Sequence, residues 1–190
     1  IVFVPAMGWQ DYNYIKYARV AGEDSNAVVS FHYYLPMLLS HYKMLAWVGY
    51  QGAVQYPGVV IPTQSDADKY PQYASFHKTT YNADRIMGEM SNAASDGRNA
   101  GLAVHCGEFG CSKNVAEAMR LAWFTDMVAA MEANNIPWTL WECLDGGFGF
   151  VDMEYGIYRI NCPLLKVLTG KELTDAEAKV LLQKYGFKTE

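Results

Sequence analysis

The sequence predicts an α/β fold of four parallel βα units, half of a closed eight-stranded barrel. Three observations predict it. Four short apolar runs rich in β-branched and aromatic residues recur along the 190 residues. None alternates cleanly between apolar and polar, which is the pattern of strands covered on both faces. Helical periodicity lies between the runs, as in consecutive right-handed βα units. A complete barrel of this kind has eight strands and typically ~250 residues, so the chain corresponds to about half of one.

The elements follow in order. Ile1 to Ala6 is a β-branched run closed by Pro5 and Gly8 and reads as a buried strand. A helix is expected after it. Ala27 to Tyr34 is the second strand, Leu102 to Phe109 the third and Ile136 to Trp141 a shorter fourth. Thr79 to about Ala94 places Ala83, Ile86, Met87 and Met90 at the spacing of a buried helix face. Asn114 to Asn134 is the stronger helix, with Asn114 as N-cap and Glu117 three residues on, and with Val115, Met119, Ala122, Met127 and Met131 as its apolar contacts. A last helix opens on a capping box, Thr174 with Glu177, and ends at Gly186. Between the second strand and the first strong helix, Leu35 to Tyr70 is a long loop rich in Pro, Gly, Tyr and Gln, a length usually associated with function. Residues 1–170 read as one half-barrel, and 171–190 as an additional C-terminal helix.

Composition narrows the function. A hydrophobic content of 51% supports a real core and excludes disorder. With 15 Lys plus Arg against 20 Asp plus Glu and a net charge of −5, there is no basic stripe for nucleic acid. No apolar run reaches the ~18 residues of a membrane span. The opening Ile1-Val2-Phe3-Val4 has no basic leader and reads as the interior of a structural unit. Cys106, Cys111, Cys143 and Cys162 are too unevenly spaced for a disulfide framework, so free thiols are expected. His105 beside Cys106 and Cys111 lacks the paired spacing of a zinc site, so neither a metal nor a cofactor is expected. Aromatic residues make up 14%, including 14 Tyr and 5 Trp, which fits either a Tyr-rich core or a sugar-binding cleft.

The chemistry gathers at strand ends. The second strand closes in His32-Tyr33-Tyr34, the third in Gly107-Glu108-Phe109-Gly110 and the fourth in Trp138-Thr139-Leu140-Trp141. In βα barrels these ends converge on one mouth. Side-chain alternation puts His32 and Tyr34 on the same side, with Tyr33 on the other. Each residue has a bland alternative: a satisfied structural histidine, a solvated turn carboxylate, a core indole. Placement on successive strand ends favours a shared site.

These motifs, with Tyr56-Pro57-Gly58, Gly146-Gly147-Phe148-Gly149 and the closing Pro163-Leu164-Leu165-Lys166-Val167-Leu168-Thr169-Gly170, resemble the second half of a family 5 glycoside hydrolase. These are retaining cellulases on a (β/α)8 TIM barrel. The resemblance covers about Ile1 to Gly170. It implies that Glu108 is the nucleophile and that His32 and Tyr34 hydrogen-bond both that carboxylate and the sugar, favouring the ionised form. It also implies that Trp141 floors the cleaving subsite, with Trp9 and rings of the Leu35 to Tyr70 loop as outer platforms. The implied substrate is a β-1,4-linked polysaccharide or oligosaccharide, and the implied location is extracellular.

Retaining hydrolysis needs a second carboxyl roughly 5 to 5.5 Å from the nucleophile. The family supplies it from an Asn-Glu-Pro motif on the fourth barrel strand, and this chain has none. Four parallel strands also leave two open edges, so a homodimer or a complementing half-barrel is expected. In a two-fold pair the last strand of one copy would stand beside the first of the other, making Glu142 a candidate substitute acid/base. Strand parity points Glu142 away from the mouth unless the strand ends or bulges there. Asp145, Asp152 and Glu154 are weaker candidates. Two other readings compete: an inactive glycan-binding half-barrel, and an unrelated α/β redox or metal protein built on the cysteines.

Overall fold

In the computed structural model, which describes residues 1–20, 24–44, 49–144 and 146–190, four parallel strands lie side by side in sequence order. They are β1 (Val2–Pro5), β2 (Ala27–Tyr33), β5 (Ala103–Phe109) and β6 (Trp138–Leu140). Between β1 and β2 the chain forms one turn, α1 (Met7–Gln10), and a 3-10 segment over Tyr12–Tyr17, rather than the full helix expected there. The long connection after β2 carries α2 (Met37–Ser40), α3 (Gln64–Lys69) and a two-residue ladder of β3 (Gly58–Val59) with β4 (Thr80–Tyr81). Then come α4 (Ala83–Ala100), α5 (Glu117–Ala133), the hairpin β7 (Val151–Glu154) and β8 (Ile157–Ile160), α6 (Cys162–Thr169) and α7 (Asp175–Lys184).

The core lies on one side of the sheet. Val29, Phe31 and Tyr33 of β2, with Cys106 and Phe109 of β5, are buried against Ile86 and Met90 of α4 and Trp123, Phe124 and Met127 of α5. Phe109 packs edge-on against Phe124 at 5.9 Å between ring centroids. Residues of opposite parity face the open side, where Phe3 stacks against His105 at 5.0 Å and Thr139 Oγ1 lies 3.1 Å from His105 Nε2. The first strand is consequently not buried: Val2 and Phe3 are 58% and 55% exposed. Its apolar composition suits a strand covered twice, and among the described residues no strand pairs with its outer edge.

Helix starts depart from expectation where capping chemistry has a competitor. The helix read from Thr79 begins at Ala83, because Thr80 and Tyr81 are taken into the β3–β4 ladder and the Asn82 side chain accepts from the Arg85 N–H as N-cap. The helix read from Asn114 begins at Glu117 without a side-chain cap. Asn114 is spent elsewhere, donating its side-chain amide to the Tyr42 carbonyl at 3.2 Å. The final capping box forms as expected, with Thr174 and Glu177 bonding reciprocally.

Candidate active site

The mouth is assembled at the C-terminal ends of β2, β5 and β6. Parity along β5 sets Val104 and Cys106 on the buried face, and uninterrupted alternation would send Glu108 there too. A bulge prevents it. Phe31 pairs with Cys106 but His32 pairs with Glu108, leaving Gly107 as the extra residue. The carboxylate is thereby re-aimed beside His32, while Phe109 returns to the core opposite Tyr33. A Cβ on residue 107 would meet Ser30 Oγ at 2.4 Å, so any larger residue at the bulge has to displace that side chain.

The expected companions of Glu108 are brought to it. The Tyr34 hydroxyl donates to Glu108 Oε2 at 2.9 Å, and His32 Nδ1 lies 3.4 Å from the same oxygen. Burial, then the hydrogen bond to Glu108 and its charge, push the Tyr34 phenol far above the ordinary range, so it stays protonated as a donor. Burial lowers the His32 pKa against the opposing pull of Glu108, leaving the ring neutral at pH 7. Trp141, 45% exposed, follows the last residue of β6, and its backbone N–H donates to the Phe109 carbonyl at 2.9 Å.

Glu142 escapes the parity objection because β6 ends at Leu140. Its carboxylate lies against Gly146, where a Cβ would meet Glu142 Oε1 at 2.1 Å. Its Oε1 is shut off from solvent with no hydrogen-bond partner among the described residues. Asp152 is engaged elsewhere, pairing with Lys113 at 2.9 Å, Glu154 is exposed at the end of β7, and Asp145 lies outside the described residues.

Trp9 stands apart from this group and is 98% exposed. Gly8, Trp9 and Gln10 all have φ near +60°, a left-handed turn that costs energy at the two non-glycine positions. Gly8 is fixed in this role twice over, by its φ and by the Tyr14 ring, which a Cβ would meet at 2.9 Å. The turn projects the indole into solvent.

Two supports carry no sequence signal of their own. Arg120 sits in the amphipathic pattern of α5 as an ordinary polar residue, yet it is 4% exposed. Its guanidinium donates to the carbonyls of Cys111 at 2.9 Å, Gly149 at 2.8 Å and Phe148, tying the loop after Glu108 to the loop after Trp141. His41 packs between Tyr34 and Phe148, at 4.9 and 5.2 Å between ring centroids, and backs the phenol from behind.

No group of three or more His, Cys, Asp or Glu among the described residues could hold a metal ion. Cys106 and Cys111 are buried thiols with pKa values raised by burial, the latter to about 12, so both stay protonated and inert. No described helix is long and apolar enough to cross a membrane. The mouth itself is a half-wall, open where further strands would stand.

Comparison with known proteins agrees with this architecture. The family model described as cellulase (glycosyl hydrolase family 5) matches residues 1–147. Endoglucanase C of Acetivibrio thermocellus is 22% identical over 143 residues, which are 72% of this chain and 39% of that protein. Among solved structures, an endoglucanase superposes with a TM-score of 0.67 at 20% identity, over 90% of this chain and 48% of its own. A hyperthermophilic endo-β-1,4-glucanase in complex with substrate gives 0.66 at 21%, over 90% and 47%. The chain thus spans less than half the length of the relatives it matches.

Proposed function

Since the chain belongs to glycosyl hydrolase family 5, the cellulase family, we propose that it carries the nucleophile half of a retaining endo-β-1,4-glucanase. The supporting observation is the arrangement at Glu108: at the end of β2 the Tyr34 hydroxyl donates to one carboxylate oxygen at 2.9 Å and His32 Nδ1 lies 3.4 Å from the same oxygen, on neighbouring parallel strand ends. One oxygen is held and the other remains to attack. In the proposed reaction the free oxygen forms a bond to the anomeric carbon as the glycosidic bond breaks. A second carboxyl protonates the departing sugar and then deprotonates the water that releases the glycosyl group from Glu108. Tyr34 and His32 keep the nucleophile fixed and present hydrogen bonds to the sugar; Trp141 stacks beneath it, and Trp9 serves as an outer platform.

The acid/base is supplied by a complementing half-barrel that closes the open face beside β1. A second copy could provide it through Glu142. The substrate is a soluble or amorphous β-1,4-glucan, a polymer too large to cross a membrane, so the reaction takes place outside the cell. The chain alone turns over such a glucan weakly or not at all. The test is hydrolysis of a soluble β-1,4-glucan by the chain alone and by the chain mixed with a separately produced first half of a family member. Turnover that appears on mixing and is lost in Glu108→Gln supports the proposal. Glucan binding with no turnover in either preparation replaces it with a glycan-binding half-barrel.

A further inference from the structure

Beyond the mouth, α7 carries two apolar stripes where a helix at the edge of a domain needs one. Ala178 and Leu182 are buried and face β8, against which the helix packs. On the other side Leu173, Ala176, Glu177, Val180, Leu181 and Lys184 line one open groove. Their spacing of three and four residues places them on a common face. Val180 and Leu181 are 65% and 37% exposed, and Tyr185, just past the helix, is 68% exposed. This surface lies beyond residues 1–147, the part matched by the family.

The charges on that face indicate its occupant. Glu177 stands toward one end of the stripe and Lys184 toward the other, with Val180 and Leu181 midway. A second α7 laid antiparallel about a two-fold axis between Val180 and Leu181 sets each Glu177 opposite a Lys184. The same operation lays Val180 against Leu181. An isologous contact needs a self-complementary patch of this kind. The capping bonds from Thr174 both engage Glu177 Oε2, at 2.8 and 2.7 Å, so Oε1 is the oxygen presented to a lysine.

We propose that α7 is a self-association surface through which two copies of the chain pair antiparallel. This contact is separate from closure of the half-barrel. One ten-residue helix per copy buries less than the roughly 1,200 Å² of a standard interface, so the dimer is weak, with a Kd on the order of 10 µM or higher.

Sedimentation velocity of the full chain over a concentration series tests it. A monomer–dimer equilibrium is expected. Val180→Asp should abolish it, and Lys184→Glu and Glu177→Lys should each weaken it at least about tenfold by placing like charges opposite one another. An equimolar mixture of the two charge variants should restore association, while far-UV circular dichroism of each shows α7 retained. A chain that stays monomeric at every concentration overturns the proposal. So does a dimer indifferent to all three substitutions, above all if Phe3→Asp on the open face of the sheet dissociates it instead.

Discussion

The two faces of the parallel sheet differ more than any other two regions of the molecule. On the helix-covered face Phe31, Phe109, Trp123, Phe124 and Met127 are fully buried. On the other, Phe3 is 55% and Trp141 45% exposed, and polar side chains such as Thr139 and His105 bond across an open surface. The chain stabilises itself from one side. Its chemistry lies along the boundary, where a bulge turns Glu108 from the packed face to the open one. A fold of this design keeps its core although one face of the sheet stands open.

That contrast can be broken at several points. The largest effect is expected on the open side: Glu108→Gln should reduce turnover of the complemented enzyme by at least about 10³-fold while leaving the urea midpoint of the chain unchanged. On the packed side the sign of the comparison reverses. Trp123→Ala removes a fully buried ring that also donates to the Leu35 carbonyl at 3.0 Å, and should cost ~3–5 kcal/mol of stability by chemical denaturation.

Tyr34→Phe deletes only the hydroxyl that donates to Glu108. It should lower kcat/KM roughly 10- to 100-fold, as loss of a hydrogen bond to a charged group does, with little change in stability. The histidines sharpen the comparison through pH. Burial depresses the pKa of His32, His41 and His105, so below about 6.5 the unfolded chain binds protons that the folded chain does not. Stability is therefore fully present above that pH and falls as pH drops toward the folded values. The urea midpoint should decrease from pH 7 to pH 5, and His41→Gln should flatten the slope. The smallest effect belongs to Phe3→Ala, under ~0.5 kcal/mol in the isolated chain, but it should weaken association with a complementing half-barrel.

Much of this was legible in the amino-acid order. Continuous apolar runs marked all four strands, and the strand-end motifs named Glu108, His32 and Tyr34, which meet because a parallel sheet leaves such ends few alternatives. What escaped depended on contacts between distant segments. Register decides whether Glu108 faces in or out, and only the pairing of His32 with Glu108 rather than with Gly107 reveals the bulge. Arg120 reads as a surface residue until three carbonyls from two loops are found around it. The hairpin of β7 and β8 was missed, since Asp152-Met153-Glu154-Tyr155 shows no strand pattern; its Tyr155-Gly156 turn has φ of 51° and 76°, values for which Asn-Gly is the usual signal. Trp9, named from sequence, lies on a turn whose left-handed geometry no local propensity announces.

Covalent trapping tests the central claim most directly. A 2-fluoro-cellobioside with a dinitrophenolate leaving group departs without protonation, so it reports the nucleophile even where the acid/base is missing. Incubation with the chain, followed by intact mass and peptide mapping, should show one fluorocellobiosyl adduct on Glu108, slower to form in Tyr34→Phe and absent in Glu108→Gln. An adduct on a different carboxylate, or hydrolysis of glucan by the complemented enzyme with no adduct on this chain, would contradict it.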